Sequence, residues 1–316
     1  MNQEKPIRIG TRGSLLARTQ AGMIRDLLLP FVADRPVELV YISTSGDQLA
    51  LEPLAKIGGK GLFVKEIEAA LFSGEIDLAV HSAKDVPVEI PAGLALSATP
   101  TRAAPNDVWI GHKGQSLAQI SAGSVVGSSS LRRKSQFLML RPDVKVEPLR
   151  GNIDTRLKKI REGVMAGTLL ALAGLHRTNL LPENAIILQE DEFIPSAGQG
   201  TLVLETRADD AAIRNILMHI HDPLTAAALA FERGIVRKLA GNCLAPIGVC
   251  ARPRTGLGQT GWITRAIVAL PDATACARCA LLTDDPSING LNALYEPLLV
   301  SLESRGAREI LAQCPS

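Results

Sequence analysis

The sequence is poor in aromatic residues, in net charge and in long apolar runs, and each shortage excludes a class of protein. Aromatic residues make up 3% of the 316 residues, and the formal net charge is only +2. Single-strand binders use aromatic stacking platforms and duplex binders carry a strong basic excess, so a nucleic-acid partner is disfavoured. The chain has no apolar run near the roughly 20 residues of a membrane span, and its N-terminus lacks the apolar core of a secretory signal. We therefore expect a cytoplasmic protein with no membrane and no nucleic-acid partner.

Cysteine is also scarce, and all five cysteines follow residue 242. In a reducing compartment they are expected to be free thiols or metal ligands. Cys276 and Cys279 have the spacing of a zinc knuckle, but Cys243 and Cys250 are separated by six residues, and every histidine precedes Cys243. These spacings disfavour zinc, so we expect no metal site and two unreactive thiols at positions 276 and 279.

Apolar strand patterns alternate with helical patterns over the first 220 residues. This alternation is typical of α/β layers with mainly parallel sheets. Ligands of such sheets gather beyond the carboxyl ends of the strands. The residues from His81 to Asp85 follow a strand predicted at Ile76–Val80, so they are expected near a binding site. The other predicted strands are Ile7–Thr11, Val37–Ser43, Leu94–Ala98, Val125–Ser128, Val144–Glu147, Leu169–Leu172 and Leu202–Thr206, and the predicted helices are Ser14–Leu29, Val64–Phe72, Leu131–Leu140 and Asn152–Gly163.

Two segments repeat one plan, RIGTRGSLLARTQ (8–20) and SVVGSSSLRRKSQ (124–136). Each has an apolar strand, a turn of glycine and serine, and a helix that opens with Ser-Leu and carries a glutamine six residues after that serine. Hydroxyl caps and free backbone N–H groups at a helix start attract anions. The repeat predicts either two lobes that direct their helix starts at a shared anion site or simply two well-capped helices, and the pattern leaves both open.

The composition changes after His221-Asp222-Pro223. A helix pattern over 225–241 is followed by strand patterns at Ile247–Ala251 and Trp262–Leu270 and by a last helix near Leu291–Ser304. This order indicates a small α+β domain.

A long glycine-rich segment, STSGDQLALEPLAKIGGKGLF, spans residues 43–63. Its GGKG run is not a phosphate-binding Walker loop, because no serine or threonine follows Lys60. We interpret the segment as a flap over the binding site.

Basic residues are concentrated at strand ends and helix starts. Guanidinium groups match carboxylates and phosphates in bidentate geometry. Any one of them alone is most simply a surface charge, but so many without local acids predict an anion site. They are Arg12, Arg18, Arg132, Arg133, Lys134, Arg150, Arg156 and Arg177, with Lys56 and Lys60 in the flap.

Two residues are candidates for chemistry. Asp85, a lone carboxylate among cations, would stay ionised and stabilise a nearby cation while Lys84 sets the local field; the alternative is a structural Lys-Asp turn before Pro87. Cys243, on a Gly-Asn turn, would be a competent nucleophile near cations; the alternative is a small buried residue. The residue pattern alone leaves both alternatives open.

A dense set of motifs resembles the hydroxymethylbilane synthase (porphobilinogen deaminase) family. The motifs occur in the family's order between residues 7 and 250: KIGGKGLFVKEIE, DLAVHSAKDVP, VGSSSLRRKSQ, LRGNIDTRL, AGLHR, SAGQG and NCLAPIG. The resemblance implies an α/β fold with two periplasmic-binding-protein-like lobes, a central cleft and a small α+β C-terminal domain. The implied domains are 1–100 with 201–219 for the first lobe, 101–200 for the second, and 220–316 for a cofactor-carrying third domain.

The resemblance also implies the reaction and the site. Members of the family are monomeric, cytoplasmic enzymes of heme biosynthesis. They condense four porphobilinogen molecules head to tail with release of ammonia and then hydrolyse off hydroxymethylbilane. Asp85 matches the catalytic acid, and Cys243 matches the cysteine that carries a dipyrromethane cofactor through a thioether. The implied cofactor contacts are Lys84, Ser128, Ser129, Arg132, Arg133 and Arg150; the implied substrate contacts are Arg12, Ser14, Gln20, Arg156, Arg177 and Gln199; and the implied flap contacts are Lys56, Lys60 and Phe63.

The chemistry fits these residues, since porphobilinogen carries an acetate and a propionate and a growing chain accumulates carboxylates. Two departures stand out: TSGD (44–47) lacks the arginine that many relatives place before the glycine, and Asn242 replaces a usual glycine. A non-catalytic anion-binding module on the same two-lobed fold is the alternative. The third domain, the missing export signal and Cys243 all weigh against that alternative.

Overall fold

The computed structural model describes residues 5–45, 64–239, 245–254 and 260–314. The chain divides into two compact units. The first comprises Met1–Ala103 with Thr201–Ala226, and the second comprises Ala104–Gly200 with Ala227–Ser316. The chain passes from the first unit to the second after Ala103 and returns at Thr201, close to the predicted lobe boundaries at 100 and 201. The predicted third domain falls almost wholly in the second unit, and its independence stays a prediction.

The first unit is built on a five-stranded sheet, with elements numbered here along the whole chain. Its strand order is β2-β1-β3-β10-β4; β1 runs parallel to β2 and β3, and β10 runs antiparallel to β3 and β4. The elements are β1 (Ile7–Arg12), α1 (Leu15–Leu28), β2 (Val37–Ile42), α2 (Lys65–Phe72), β3 (Leu78–Ser82), β4 (Leu94–Ala98), β10 (Leu202–Arg207) and α6 (Ala211–Leu217).

Local sequence explains why α1 begins and packs where it does. The Ser14 hydroxyl accepts a hydrogen bond from the Ala17 N–H at 3.4 Å and so caps the helix. Ala21, Ile24 and Leu28, at helical spacing, are fully buried in the core of this sheet. The helix therefore lies against the sheet with its capped end next to the end of β1.

The second unit repeats this plan in its own five-stranded sheet. Its strand order is β7-β6-β8-β5-β9; β6 runs parallel to β7 and β8, and β5 runs antiparallel to β8 and β9. The two sheets thus share the same spatial order and directions of strands. The elements are β5 (Asp107–Gly111), β6 (Val125–Gly127), α3 (Leu131–Leu140), β7 (Lys145–Glu147), α4 (Ile153–Arg161), β8 (Gly167–Ala171), α5 (Leu172–Arg177) and β9 (Ile186–Ile187).

A three-stranded antiparallel meander completes the second unit. In the described residues its strands are ordered β11-β12-β13 and are accompanied by four helices. The elements are α7 (Pro223–Leu239), β11 (Ile247–Pro253), β12 (Trp262–Ala269), β13 (Cys276–Thr283), α8 (Ile288–Ala293), α9 (Tyr295–Glu303) and α10 (Ala307–Ala312).

The C-x-x-C pair lies on β13, where its spacing does not bring the two thiols together. Cys276 and Cys279 lie three residues apart on one strand, so their side chains point to opposite faces, one exposed and one buried. Burial raises the pKa of the Cys279 thiol. Within the described ranges, no three histidine, cysteine or carboxylate side chains are grouped so as to hold a metal ion. In the same ranges no helix combines the length and apolar character needed to cross a bilayer.

The predicted α/β class with two sheet lobes is confirmed, but each five-stranded sheet has two parallel and two antiparallel pairings and is not mainly parallel. The strand predicted at Ile76–Val80 is observed at Leu78–Ser82, because its pairing with β10 continues as far as Ser82. His81 therefore lies in the strand rather than after it. Strands β5, β9 and β13 were not predicted, and the single last helix is two helices, α8 and α9. The five residues of β5 are all buried, and a short continuous apolar run cannot be told from a helix by periodicity.

Candidate active site

A pocket in the first unit brings together residues that are far apart in the sequence. Four predicted site residues line it: Arg12, Ser14, Gln20 and Asp85. They come from β1, α1 and the turn after β3. Because β1 and β3 are parallel neighbours, their carboxyl ends meet at one edge of the sheet. The structure therefore brings these four polar residues together at this edge, and their roles stay predictions.

The turn that carries Lys84 and Asp85 is anchored on both sides. A single helical turn, Ala83–Asp85, follows β3, and the Ala83 N–H donates to the Thr201 carbonyl at 3.0 Å. Ala83 and Val86 are buried on either side of the polar pair, whereas Lys84 is half-buried and Asp85 is exposed. The apolar residues therefore fix the turn, and the carboxylate is presented to the solvent side of the pocket.

Gln20 and Ser82 connect α1 to the end of β3. The Gln20 Nε2 group lies 3.0 Å from Ser82 Oγ, and the Ser82 hydroxyl lies 3.3 Å from Gln20 Oε1. Gln20 is buried although it lines the pocket. This geometry gives the glutamine a structural role, and its contact with substrate stays a prediction.

The repeated plan of the sequence is found in both units. Ser130 caps α3, since its hydroxyl accepts from the Arg133 N–H at 3.3 Å, as Ser14 caps α1. Gln136 is buried like Gln20 and exchanges two hydrogen bonds with the Ile194 backbone, at 2.9 and 2.6 Å. The two glutamines thus hold corresponding helices in place, and both serines are helix caps.

The turn before α3 holds the other two predicted serines. The Ser128 hydroxyl accepts a hydrogen bond from the Ser130 N–H at 3.3 Å. The Ser129 hydroxyl donates to the Leu149 carbonyl at 3.0 Å. Both serines stabilise the turn, and their contacts with a cofactor stay predictions.

Arg132 and Arg133 correct one expectation, because these arginines do have a local acid. Arg132 Nη1 lies 2.8 Å from Asp107 Oδ2, and Arg133 Nε lies 2.8 Å from Asp107 Oδ1. All three side chains are buried, and Asp107 is wholly so. Asp107 opens β5, which the sequence did not predict. The sequence NDVWIG, an acid followed by a short apolar run, could have indicated both the strand and its buried carboxylate.

Among the described side chains, the charges of this buried cluster do not cancel. Two guanidinium groups share one carboxylate, which leaves an excess positive charge. Burial lowers the pKa of Arg132, while Asp107 acts to raise it. The Nε of Arg132 has no hydrogen-bond partner among the described residues. Such a cluster fits an acidic ligand, because an anion would supply the missing charge and the missing acceptor.

Arg177, the last residue of α5, offers the clearest unpaired cation. Its Nη2 donates to the Gly200 carbonyl at 2.7 Å, and its buried Nε has no partner among the described residues. No carboxylate in the described part of the chain lies within ion-pair distance of it. Burial lowers the pKa of the guanidinium to about 10, so it stays charged at neutral pH. A desolvated cation without a counter-ion fits a carboxylate-binding role.

The loop that Arg177 contacts is held by buried polar side chains. Gln199 is fully buried, and its Nε2 donates to the Pro105 carbonyl at 2.6 Å. Glu232 of α7, also fully buried, accepts from the Gly198 N–H at 2.6 Å and from the Ala251 N–H at 2.8 Å. This geometry gives Gln199 a structural role in the loop, and its contact with substrate stays a prediction.

The remaining predicted residues are placed less fully. The Arg156 Nε donates to the Gly151 carbonyl at 2.7 Å, at the start of α4, and Arg150 is half-buried in the preceding loop. Gly151 has a φ of +110°, a value that favours glycine. The predicted cofactor attachment residue and the predicted flap contacts lie outside the described residues: Cys243, Lys56, Lys60 and Phe63.

Arg177→Gln is expected to raise the KM for an acidic substrate about tenfold or more. The reason is that the charge-assisted hydrogen bond between the guanidinium and a substrate carboxylate contributes about 1.5–3 kcal/mol. The same change should not lower the melting temperature, since it removes an unpaired buried charge. Arg161→Gln, an exposed arginine of the same unit, is the control and should change neither quantity. Steady-state kinetics and thermal unfolding measure both; an unchanged KM for Arg177→Gln would contradict the assignment.

Comparison with known proteins finds a matching family model and relatives that cover most of the chain. A family model described as "Porphobilinogen deaminase, dipyromethane cofactor binding domain" matches residues 7–215. The porphobilinogen deaminase of Methylobacillus flagellatus is 41% identical over 317 residues, which cover 100% of this chain and 99% of the relative. That of Syntrophobacter fumaroxidans is 46% identical over 245 residues, 78% of this chain and 79% of the relative. Among solved structures, the aliphatic sulphonate binding protein SsuA of Escherichia coli is 14% identical with a TM-score of 0.40, over 74% of this chain and 70% of that one. The chain belongs to the porphobilinogen deaminase family.

Proposed function

We propose that the chain is a transferase of tetrapyrrole biosynthesis that condenses four porphobilinogen molecules head to tail, releases ammonia at each step and hydrolyses off hydroxymethylbilane. The observation that carries the proposal is the pocket that Arg12 and Asp85 both line, at the ends of parallel strands. The pocket pairs a group suited to bind a carboxylate with a group suited to stabilise a cation. Relatives that cover almost the whole chain are named as the enzyme, which favours this function over a non-catalytic anion-binding module.

The chemistry assigns a task to each of these groups. When the protonated aminomethyl group of porphobilinogen loses ammonia, the C–N bond breaks, the electron pair leaves with nitrogen, and an azafulvenium cation remains. The Asp85 carboxylate stabilises that cation. The free carbon of a second pyrrole then forms the new C–C bond, and the proton lost from that carbon is transferred to a base such as Asp85. Arg12 and Arg177 bind the acetate and propionate side chains.

The family model is named for a dipyrromethane cofactor, and the donors of the second unit fit such an acidic group. The excess positive charge of the Arg132 and Arg133 cluster and its unpartnered Nε call for an anionic ligand. We assign Lys84, Ser128, Ser129, Arg132, Arg133 and Arg150 to hold the cofactor, with Cys243 as its covalent attachment. When bound, a dipyrromethane supplies the pyrrole to which the first substrate ring is added.

The finer assignments belong to the same proposal. Residues 220–316 form the cofactor-carrying domain, and the protein acts in the cytoplasm as a monomer without metal, nucleic acid or membrane. The net charge of +2 and the shortage of aromatic residues support the absence of a nucleic-acid partner.

Intact-mass measurement of the purified protein tests the proposal. Protein from a host that makes porphobilinogen is expected to exceed the sequence mass by one dipyrromethane and to convert porphobilinogen to hydroxymethylbilane. The excess mass should vanish in Cys243→Ser and persist in Cys276→Ser, whose cysteine is exposed on β13. An unmodified wild-type mass together with no turnover would contradict the proposed enzyme activity. Excess mass that persists in Cys243→Ser would contradict only the attachment of the cofactor to Cys243.

A further inference from the structure

A buried acid–imidazole pair lies beside the Asp85 pocket, and the roles assigned above do not use it. His81 Nε2 lies 2.9 Å from Glu205 Oε2, and only 6% and 1% of these side chains are exposed. His81 comes from β3 and Glu205 from β10, its antiparallel neighbour. His81 also lines the pocket that contains Asp85. The pair thus links the interior of the sheet to the pocket.

The surroundings of this pair are costly for the fold. Glu205 Oε1 is buried and has no hydrogen-bond partner among the described residues. Glu68 of α2 lies close enough that the charge of Glu205 raises its pKa, after the larger effect of burial, while His81 lowers it. The charged groups that face the imidazole are therefore Glu205, Glu68 and, around the pocket, Arg12 and Asp85. Burying such groups destabilises a protein unless they are fully paired.

The second unit shows what this part of the fold requires, because its sheet has the same strand order. In each sheet the third strand ends directly before a helical turn, which starts at Ala83 in one and at Leu172 in the other. His81 precedes its turn by two residues, and so does Leu170. The second unit therefore places a leucine where the first places the histidine.

The partner strands correspond in the same way. Glu205 stands two residues past the partner of His81, and Ile110 stands two residues past the partner of Leu170. Leu170 and Ile110 belong to one buried apolar cluster. The same strand pair therefore folds with two aliphatic residues where the first unit has an acid and an imidazole.

We propose that His81 and Glu205 form a positioning pair for the reaction in the Asp85 pocket and are not needed for folding. Glu205 holds the imidazole in one orientation, and the imidazole sets the geometry and the charge at the end of β3, from which the Asp85 turn projects. The turn after β3 differs from its counterpart in the same way. Its second and third residues are Lys84 and Asp85, whereas those of the corresponding turn in the second unit are Ala173 and Gly174, which carry no ionisable group. This inference rests on the proposed function.

The double variant His81→Leu/Glu205→Ile, which copies the second unit, separates function from folding. Replacing a buried polar pair by apolar residues of similar size is often neutral or stabilising, so the melting temperature should stay at or above the wild-type value. We expect kcat to fall by about tenfold or more, with KM changed by less than about threefold and with an altered pH profile of kcat. A purely structural pair would not alter the pH profile.

Two single variants complete the test. Glu205→Gln keeps the shape and a hydrogen bond but removes the charge, and it should lower kcat and alter the pH profile, with partial recovery in Glu205→Asp. Asp77→Asn, which breaks a different pair with Arg8 in the same unit, should lower the melting temperature and leave the pH profile unchanged. If Glu205→Gln turns over within about twofold of wild type with the same pH profile, the inference is wrong. Wild-type protein without turnover would overturn the proposed function and this inference together.

Discussion

Asp85→Asn is expected to lower kcat by about 100-fold or more while leaving the fold intact. The side chain keeps its size, so only the negative charge that stabilises the cationic ring is lost, and groups in this role contribute about 10²–10⁴-fold. Asp85 is exposed on a turn fixed by Ala83 and Val86, so removal of its charge should not change the melting temperature. Steady-state turnover of porphobilinogen and thermal unfolding measure the two effects.

The control for this variant is Glu89→Gln. Glu89 is an exposed carboxylate four residues further along the same segment, and it does not line the pocket. Its neutralisation should leave kcat within about twofold of wild type. Turnover of Asp85→Asn at a similar level would show that the assigned role of Asp85 is wrong.

Asp107→Asn should produce the largest loss of stability, about 3–5 kcal/mol in the free energy of unfolding of the second unit. The substitution preserves shape but leaves Arg132 and Arg133 buried without their carboxylate. Tryptophan fluorescence during urea unfolding reports this unit, because both tryptophans of the chain, Trp109 and Trp262, lie in it.

Glu162→Gln is the matched control for Asp107→Asn. Glu162 pairs with Lys158 at 3.8 Å on the surface of α4, and more than half of each side chain is exposed. Its loss should change the free energy of unfolding by less than about 0.5 kcal/mol. An equally small effect of Asp107→Asn would mean that the two arginines find other counter-charges.

The parts of the site that the sequence predicted depend on local signals. Ser14 and Ser130 are helix caps because a hydroxyl before an apolar periodic run satisfies free N–H groups one turn later. Asp85 is placed by the end of an apolar strand, and that end gathers other strand ends in any parallel sheet. Such signals depend on only a few neighbouring residues, so they can be recognised without knowledge of the fold.

The parts that were missed depend on distant partners. His81 and Glu205 are 124 residues apart, and Asp107 of strand β5 reaches Arg132 of helix α3 across 25 residues of sequence. Sequence periodicity tells which face a residue occupies but not which side chain lies opposite. The expectation that Arg132 and Arg133 lacked an acid was wrong for this reason, because the place of Asp107 depends on how β5 pairs within the sheet.

The interleaving of the strands sets the order in which the sheets can form during synthesis. All five strands of the second unit's main sheet lie between residues 107 and 187, whereas the first unit's sheet needs β10, which ends at Arg207, in its interior. The N-terminal part of the chain therefore leaves the ribosome early but waits for a later segment before its sheet is complete. A nascent chain arrested near residue 195 would contain every strand of the second unit's main sheet. The first unit's sheet would be incomplete in that chain, because β10, which lies between β3 and β4, would not yet have been made.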